Sequence, residues 1–118
     1  QAVEFVLSRL EDMIGGEIFV PRIPAMRIVD LIGVIAPDCE HKLIGIRPGE
    51  KLHEILITPE EARHTKDLGT HYAIEPEFPF WREETFIGGN NLPDGFEYCS
   101  GTTDWKLTPE ELHEYTAA

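Results

Sequence analysis

The segment from Leu43 to Glu54 constrains the fold of this 118-residue chain more than any other. Its apolar, β-branched beginning predicts a strand over 42–46, and Arg47-Pro48-Gly49-Glu50 follows at once. A Pro-Gly pair favours a tight surface turn, because proline fixes one backbone angle and glycine allows a conformation that a Cβ would block. The sequence therefore predicts a strand that ends in a rigid turn with an arginine at its first position.

The other elements predicted from periodicity and capping residues are also short. Apolar residues at three- and four-residue intervals predict an amphipathic helix over 2–14 with one buried stripe. Thr58 and Thr108 each precede Pro-Glu-Glu, a pattern typical of a helix N-terminus, so a helical turn and a final helix are expected there. Further expected elements are a helix over 26–36, strands over 17–20, 55–57 and 72–74, and a long irregular excursion over 75–95. The fold class predicted is α+β, with short strands, two to four helices and a long irregular C-terminal segment.

Composition and charge exclude several classes of function. The formal net charge of -12 argues against nucleic acid as a partner, because binding a polyanion needs clustered lysine and arginine. No apolar run approaches the roughly 20 residues needed to cross a bilayer, and no signal peptide is recognisable. Cys39 and Cys99 show no CxxC spacing, so a reduced cytoplasmic setting is expected, although a disulfide between them stays open. The start at Gln1, already in helical rhythm, suggests a piece of a longer protein.

The catalytic and metal-binding patterns that the sequence offers are incomplete. His53-Glu54 lacks the second histidine of a zinc protease, and Cys39-Glu40-His41 places its groups too closely for an ordinary zinc site. Neither glycine-rich phosphate pattern occurs. The aromatic residues Phe78, Phe80, Trp81 and Phe86 favour a satellite core or an interface over a platform that stacks bases. We therefore predict no catalytic residue and no metal ligand in this chain.

Arg47 is the strongest candidate for binding. A planar guanidinium at the end of a rigid element suits two oxygens of a phosphate, and it keeps its charge at any ordinary pH. The alternative is an ordinary ion pair on a solvated turn, which contributes little. The residues alone leave both readings open.

Three stretches in order, over 16–26, 44–54 and 96–112, resemble one family. They are similar to the C-terminal part of the inverting UDP-N-acetylglucosamine 4,6-dehydratases, which belong to the extended short-chain dehydrogenase superfamily and act in polysaccharide biosynthesis. The Arg-Pro-Gly-Glu-Lys-Leu-His-Glu run over 47–54 is the most specific part of the resemblance. It implies that residues 1–118 are a single C-terminal domain that binds a UDP-sugar, a fragment of a longer lyase.

The chain also departs from that family. The N-terminal Rossmann domain is absent, and so is the catalytic Tyr-x-x-x-Lys pair: Glu75, Gly101 and Ala118 stand three places after the three tyrosines. The resemblance implies that NADP belongs to the full-length enzyme, where the sugar would be oxidised at C4, lose water across C5–C6 and regain hydride with inversion at C5. This chain alone is expected to bind no cofactor and to be inactive.

The resemblance further implies roles for three residues. Arg47 is expected to hold the diphosphate of UDP-N-acetylglucosamine, and Glu50 to accept hydrogen bonds from ribose hydroxyls. Arg22 is expected near the uridine or phosphate, with a simple surface charge as the alternative. The expected partners are the substrate, the missing Rossmann domain and, as an open option, further copies of the chain. A free-standing module that binds a protein through residues 78–86 is the alternative function.

Overall fold

The structure, a computed structural model, describes residues 1–78 and 88–117. Within them the chain forms four helices and six strands, so the α+β fold class is confirmed. The helices are α1 (Ala2–Asp12), α2 (Ile28–Ile35), α3 (Pro59–Ala62) and α4 (Pro109–Thr116). The strands are β1 (Ile18–Pro21), β2 (Ile55–Ile57), β3 (Thr65–Asp67), β4 (His71–Ile74), β5 (Asn90–Asn91) and β6 (Tyr98–Cys99).

The strands form a four-stranded antiparallel sheet in the order β1-β4-β3-β5 and a two-stranded sheet of β2 and β6. Pro21 is the last residue of β1 and lies opposite His71 in the register. Proline is tolerated there because β1 is an edge strand, where one row of backbone N–H groups needs no ladder partner. The predicted strand over 17–20 is confirmed, with both its start and its end one residue later.

Capping boxes fix the starts of α3 and α4, as the sequence predicts. Thr58 Oγ1 accepts a hydrogen bond from the Glu61 backbone N–H at 3.2 Å, and the Glu61 carboxylate accepts one from the Thr58 backbone N–H at 2.9 Å. Thr108 and Glu111 repeat the arrangement at 3.3 and 2.8 Å. Each box satisfies two backbone donors that a helix N-terminus would otherwise leave unpaired.

The chain divides into two compact units. Unit 1 comprises Gln1–Arg22 and Leu56–Tyr98, and unit 2 comprises Ile23–Ile55 and Cys99–Ala118. The core of unit 1 is formed by Val20, Ile57, Ala62, Tyr72, Ile74 and Tyr98. In unit 2, α2 packs against α4, and Ala25 exchanges backbone hydrogen bonds with residues 105 and 107, at 2.9 Å each. A single domain over 1–118 stays a prediction.

Helix α1 is present as predicted, but its apolar stripe is not buried. Val3, Val6, Leu10 and Met13 are all about half exposed or more, and no residue of α1 is buried. The helix contacts the sheet of unit 1 through Phe5 and Arg9 instead. Periodicity identifies an apolar face correctly, but it says nothing about whether another part of the same chain covers that face.

His71 of β4 is the buried group that Arg9 contacts. Arg9 Nη1 lies 2.7 Å from His71 Nε2, and because a guanidinium can only donate, Nε2 accepts this hydrogen bond. The ring proton is therefore on Nδ1, which lies 2.9 Å from Thr70 Oγ1. Burial and then the Arg9 charge lower the pKa of His71 below its usual value, and the opposing effect of Asp12 is smaller.

The prediction of a strand over 42–46 is wrong. These residues join no ladder in the part of the chain that the structure describes, and Leu43 is 94% exposed. Gly45 has φ +79°, which interrupts an extended backbone. The apolar, β-branched composition favours a strand only where a neighbouring strand supplies hydrogen bonds.

Strands β3, β5 and β6 do not appear among the predicted elements. β3 reads Thr-Lys-Asp and β5 reads Asn-Asn, so neither carries the apolar alternation that predicts a strand. β3 forms because it pairs with β4, whose four residues are all buried. Of the predicted aromatic cluster, Phe80, Trp81 and Phe86 lie outside the described residues.

Candidate functional site

The turn formed by Arg47, Pro48, Gly49 and Glu50 has the geometry that its sequence predicts. The Glu50 backbone N–H donates to the Arg47 carbonyl oxygen at 3.0 Å, which closes a four-residue turn. Gly49 has φ +85°, and proline precedes it, as in a type II turn. A Cβ added at Gly49 would meet no atom within 4 Å, so glycine is required there for its backbone angle alone.

The Glu50 side chain also stabilises this turn. Its Oε2 accepts a hydrogen bond from the Arg47 backbone N–H at 2.7 Å, and its Oε1 lies 3.9 Å from Arg47 Nε. The Arg47 side chain is 72% exposed, so this long ion pair contributes at most about 1 kcal/mol. The turn therefore presents the guanidinium to solvent, while one carboxylate oxygen of Glu50 is already used within the protein.

An open surface depression of about 870 Å³ lies beside the turn in unit 2. All the residues that line it are exposed, so it is a shallow depression open to solvent rather than an enclosed pocket. Its lining mixes aliphatic side chains with two ammonium groups and two carboxylates: Lys42, Leu43, Ile44, Gly45, Ile46, Gly49, Glu50, Lys51, Leu52 and Glu54. The surface beside Arg47 can therefore contact both an apolar ring and an anionic group.

The C-terminal end of this segment is anchored by two hydrogen bonds with Ser100, one to its side chain and one from its backbone. The Glu54 backbone N–H donates to Ser100 Oγ at 3.0 Å, and the Ser100 N–H donates to the Glu54 carbonyl oxygen at 2.9 Å. The His53 ring packs closely against Gly101, where an added Cβ would lie 2.9 Å from His53 Cγ. The residues that follow the turn are therefore held in place, although the residues before it belong to no strand.

Arg22 belongs to unit 1, whereas Arg47 and Glu50 belong to unit 2. Its Nη2 donates to Asp67 Oδ2 at 2.6 Å, and the guanidinium lies 4.5 Å from the centre of the Tyr72 ring. The hydrogen bond to Asp67 raises the pKa of Arg22. Burial alone would raise the pKa of Asp67, but the hydrogen bonds from Arg22 and from the Gly69 backbone outweigh burial and lower it. Arg22 is thus one partner of a fully ionised pair.

No sequence pattern predicts that Asp67 and Tyr72 are the partners of Arg22. Asp67 lies 45 positions further along the chain, and no local pattern links the two. The register explains their meeting, because Asp67 lies directly opposite Tyr72 in the β3–β4 ladder, and β1 pairs with β4. Only the predicted strand at Tyr72 could have suggested part of this arrangement.

Two further observations concern only residues 1–78 and 88–117. No three histidine, cysteine, aspartate or glutamate side chains come together as a metal site would require, and both cysteines are free thiols. None of the helices combines the length and the apolar character needed to cross a membrane.

Sequence comparison identifies the class of protein to which this fold and turn belong. Residues 1–76 match the family described as "Polysaccharide biosynthesis protein", and the chain belongs to that family.

Particular relatives are more informative than the family. The chain is 42% identical, over 95% of its length, to a UDP-N-acetylglucosamine 4,6-dehydratase (inverting) of Campylobacter jejuni, which confirms the predicted resemblance. It is also 36% identical, over 62% of its length, to a UDP-glucose 4-epimerase of Rickettsia bellii. It covers 36% of the dehydratase and 23% of the epimerase, so it spans about a third or less of these curated relatives.

A solved structure shows the same fold. The X-ray structure of Pen from Bacillus thuringiensis superposes with a TM-score of 0.78 over 99% of this chain and 36% of its own, at 24% sequence identity. The α+β arrangement of the short strands and helices therefore recurs within a longer protein.

Proposed function

We propose that this chain is the UDP-sugar-binding portion of an inverting UDP-N-acetylglucosamine 4,6-dehydratase, acting in nucleotide-sugar metabolism for surface polysaccharide or pseudaminic acid. The observation that carries the proposal is the Arg47–Glu50 turn, which presents an exposed guanidinium beside an open depression of mixed apolar and charged lining. The turn lies within the matched region of a relative whose name states this activity.

In this proposal Arg47 contacts the diphosphate. Its fork can donate two parallel hydrogen bonds to phosphate oxygens, and such charge-assisted bonds are stronger than neutral ones. Glu50 has a double role: Oε2 holds the turn closed, and Oε1 accepts from a ribose hydroxyl. Arg22 is proposed as a further contact to the nucleotide. These contacts serve catalysis indirectly, because binding energy far from the reacting carbon positions the sugar.

The residues of this chain do not fit an NADP site. It contains neither the glycine-rich turn of a dinucleotide-binding domain nor the Tyr-x-x-x-Lys pair, and its four-stranded sheet is antiparallel rather than doubly wound and parallel. We therefore assign no redox or proton-transfer step to its residues. The cofactor and the lyase chemistry belong, in this proposal, to another part of a longer enzyme.

The test is titration of the chain with UDP. Binding is monitored through the amide chemical shifts in nuclear magnetic resonance spectra, which detect even millimolar affinity. Arg47→Ala should weaken binding about 10-fold or more, because a hydrogen bond to a charged group contributes roughly 1.5–3 kcal/mol. Arg27→Ala is the matched control, since Arg27 is also an exposed arginine paired with an acid three residues later. Equal affinity of Arg47→Ala and the unaltered chain for UDP would contradict the assignment.

A free-standing module that binds a protein partner is the second candidate, and the exposed apolar stripe of α1 is the observation that favours it. The segment first expected to make that contact, 78–86, lies almost wholly outside the described residues. The two candidates differ in the UDP titration, because a module of this kind has no need of Arg47.

A further inference from the structure

The contact between α1 and β4 requires the neutral form of the His71 ring. Both ring nitrogens are in use in that form: Nε2 accepts from Arg9 Nη1 at 2.7 Å, and Nδ1 donates to Thr70 Oγ1 at 2.9 Å. A protonated ring has no acceptor left, because both nitrogens then carry hydrogen. Protonation would therefore replace the hydrogen bond from Arg9 with two positive charges in contact.

The described contacts that hold α1 on its sheet centre on the same histidine. The Phe5 ring of α1 and the Phe19 ring of β1 both lie 5.8 Å from the His71 ring. The Arg9 guanidinium lies 5.6 Å from the centre of the Phe5 ring and 5.9 Å from that of Phe19. No residue of α1 is buried, and an isolated helix of 11 residues is marginal in water. Helix α1 should therefore unwind when this contact is lost.

Arg9 has a second partner on its own helix. Its Nη1 also lies 2.7 Å from Asp12 Oδ2, so the guanidinium keeps an ion pair when it leaves His71. Asp12 attracts a proton to His71, but burial and the Arg9 charge both oppose protonation more strongly. The two charged groups of α1 beside the ring therefore favour its neutral form while the helix is docked.

The strands on either side of β4 add little charge around the ring. β1 carries no charged side chain. In the β3–β4 ladder, side chains alternate between faces, so Lys66 shares the face of His71 and Asp67 lies on the opposite face. The Lys66 ammonium donates to Asn91 Oδ1 at 2.5 Å. The contact of α1 with β4 is therefore governed mainly by the histidine and by the charges of α1.

We propose that His71 is a pH-sensitive switch: when its ring takes up a proton, Arg9 loses its acceptor on β4 and α1 detaches from the sheet of unit 1. The core cluster of that unit includes no residue of α1, so the rest of the unit stays folded. Detachment uncovers the rings of Phe5 and Phe19. The inference does not depend on UDP and goes beyond the proposed function.

The sign of the pH dependence follows from the two environments of the ring. Burial and then Arg9 lower the pKa of His71 in the docked state, whereas the ring of the detached state is exposed and distant from Arg9. The docked state is therefore fully favoured above about pH 6.5 and less favoured below it. For a docked ring that stays neutral throughout, lowering the pH from about 7.5 to about 5.5 raises the ratio of detached to docked chains about 10-fold.

The experiment measures amide hydrogen exchange of the 118-residue chain at these two pH values. Each rate is divided by the intrinsic rate of an unfolded peptide at the same pH, which gives a protection factor. The protection of α1 amides should fall about 3- to 10-fold at the lower pH and should lie below that of β4 amides. This order shows that α1 opens while the sheet stays paired.

His71→Gln tests the cause of the fall. Glutamine can accept from Arg9 through its amide oxygen, but it does not titrate, so the protection of α1 should be the same within about twofold at both pH values. His64→Gln is the matched control, because His64 is an exposed histidine of the same unit. This variant should keep the fall of the unaltered chain.

Equal protection of α1 and β4 amides at the lower pH would overturn the inference, because α1 would then open only when the whole unit unfolds. A fall in α1 protection that persists in His71→Gln would overturn it too. If that variant does not fold, Arg9→Gln replaces it. An amide can donate to the neutral ring or accept from the protonated one, so the fall should become smaller, and an undiminished fall would contradict the inference.

Discussion

Gly89 and Gly95 form a natural pair for testing how close packing beside β3 contributes to stability. Both have φ +76°, so a substituted alanine meets an unfavourable positive φ at each. Their surroundings differ. A Cβ at Gly95 would meet no atom within 4 Å, whereas a Cβ at Gly89 would lie 2.5 Å from the Asp67 carbonyl oxygen and 2.8 Å from Leu68 Cδ2.

Gly95→Ala should lower the free energy of unfolding by about 1–2 kcal/mol, the cost of a left-handed conformation for a residue with a Cβ. Gly89→Ala should lower it by about 2–5 kcal/mol, because overpacking adds about 1–3 kcal/mol. Rotation of a side chain can relieve the contact with Leu68 but not the contact with a backbone oxygen. Neither loss exceeds the lower end of the roughly 5–15 kcal/mol that stabilises an ordinary domain, so the unfolding of both variants should remain measurable.

The assay is urea unfolding of both variants, followed by circular dichroism and fitted with a common slope. The difference between the variants, about 1–3 kcal/mol, is the quantity that the contact with Asp67 predicts. The oxygen belongs to Asp67, whose carboxylate accepts a hydrogen bond from Arg22. The nuclear magnetic resonance signal of the Arg22 Nε–H group should therefore also move in Gly89→Ala and stay in place in Gly95→Ala. Equal stabilities, within about 0.5 kcal/mol, would refute the packing of Gly89 against β3.

Two further predictions concern a helix cap and a buried histidine. Thr108→Ala should lower the free energy of unfolding by about 1 kcal/mol, since it removes the acceptor for the Glu111 backbone N–H; Thr108→Ser keeps that acceptor and should cost much less, and equal losses in urea unfolding would argue against the cap. The folded-state pKa of His71 lies below its ordinary value of 6.5, so the unfolded chain takes up a proton first as the pH falls. Stability should therefore be full above about pH 6.5 and decline below it. His71→Gln should flatten this decline in urea unfolding across pH, and an unchanged decline would show that other groups cause it.

The features that the sequence predicted well are those set by neighbouring residues. Thr58 and Thr108 predict the starts of their helices, because a capping box involves only the four residues that form it. The turn at Pro48-Gly49 was equally predictable, since its hydrogen bond joins Arg47 to Glu50. The contact made by Glu50 was less predictable, because its carboxylate accepts a hydrogen bond from the Arg47 backbone within the turn.

The features that the sequence did not predict depend on distant parts of the chain. β3 has no apolar alternation, and it exists because β4 lies beside it. The contact of Arg22 with Asp67 requires β1, β4 and β3 to be placed in register first. Neither can be deduced before the strand order is known, because polar residues at strand ends have no periodicity of their own.

The exposed apolar residues of α1 and of 42–46 show a further limit of sequence patterns. Apolar spacing predicts a buried helix face at Val6, and an apolar, β-branched run predicts a strand at Leu43. Val6 instead lies on an uncovered helix face, and Leu43 lies in no strand. An apolar pattern records that a surface is suited to burial, and it does not record which polypeptide buries it. The turn after 42–46 forms all the same, because its hydrogen bonds lie within Arg47–Glu50. The backbone at Arg47 is therefore positioned by its own turn, although residues 42–46 form no strand.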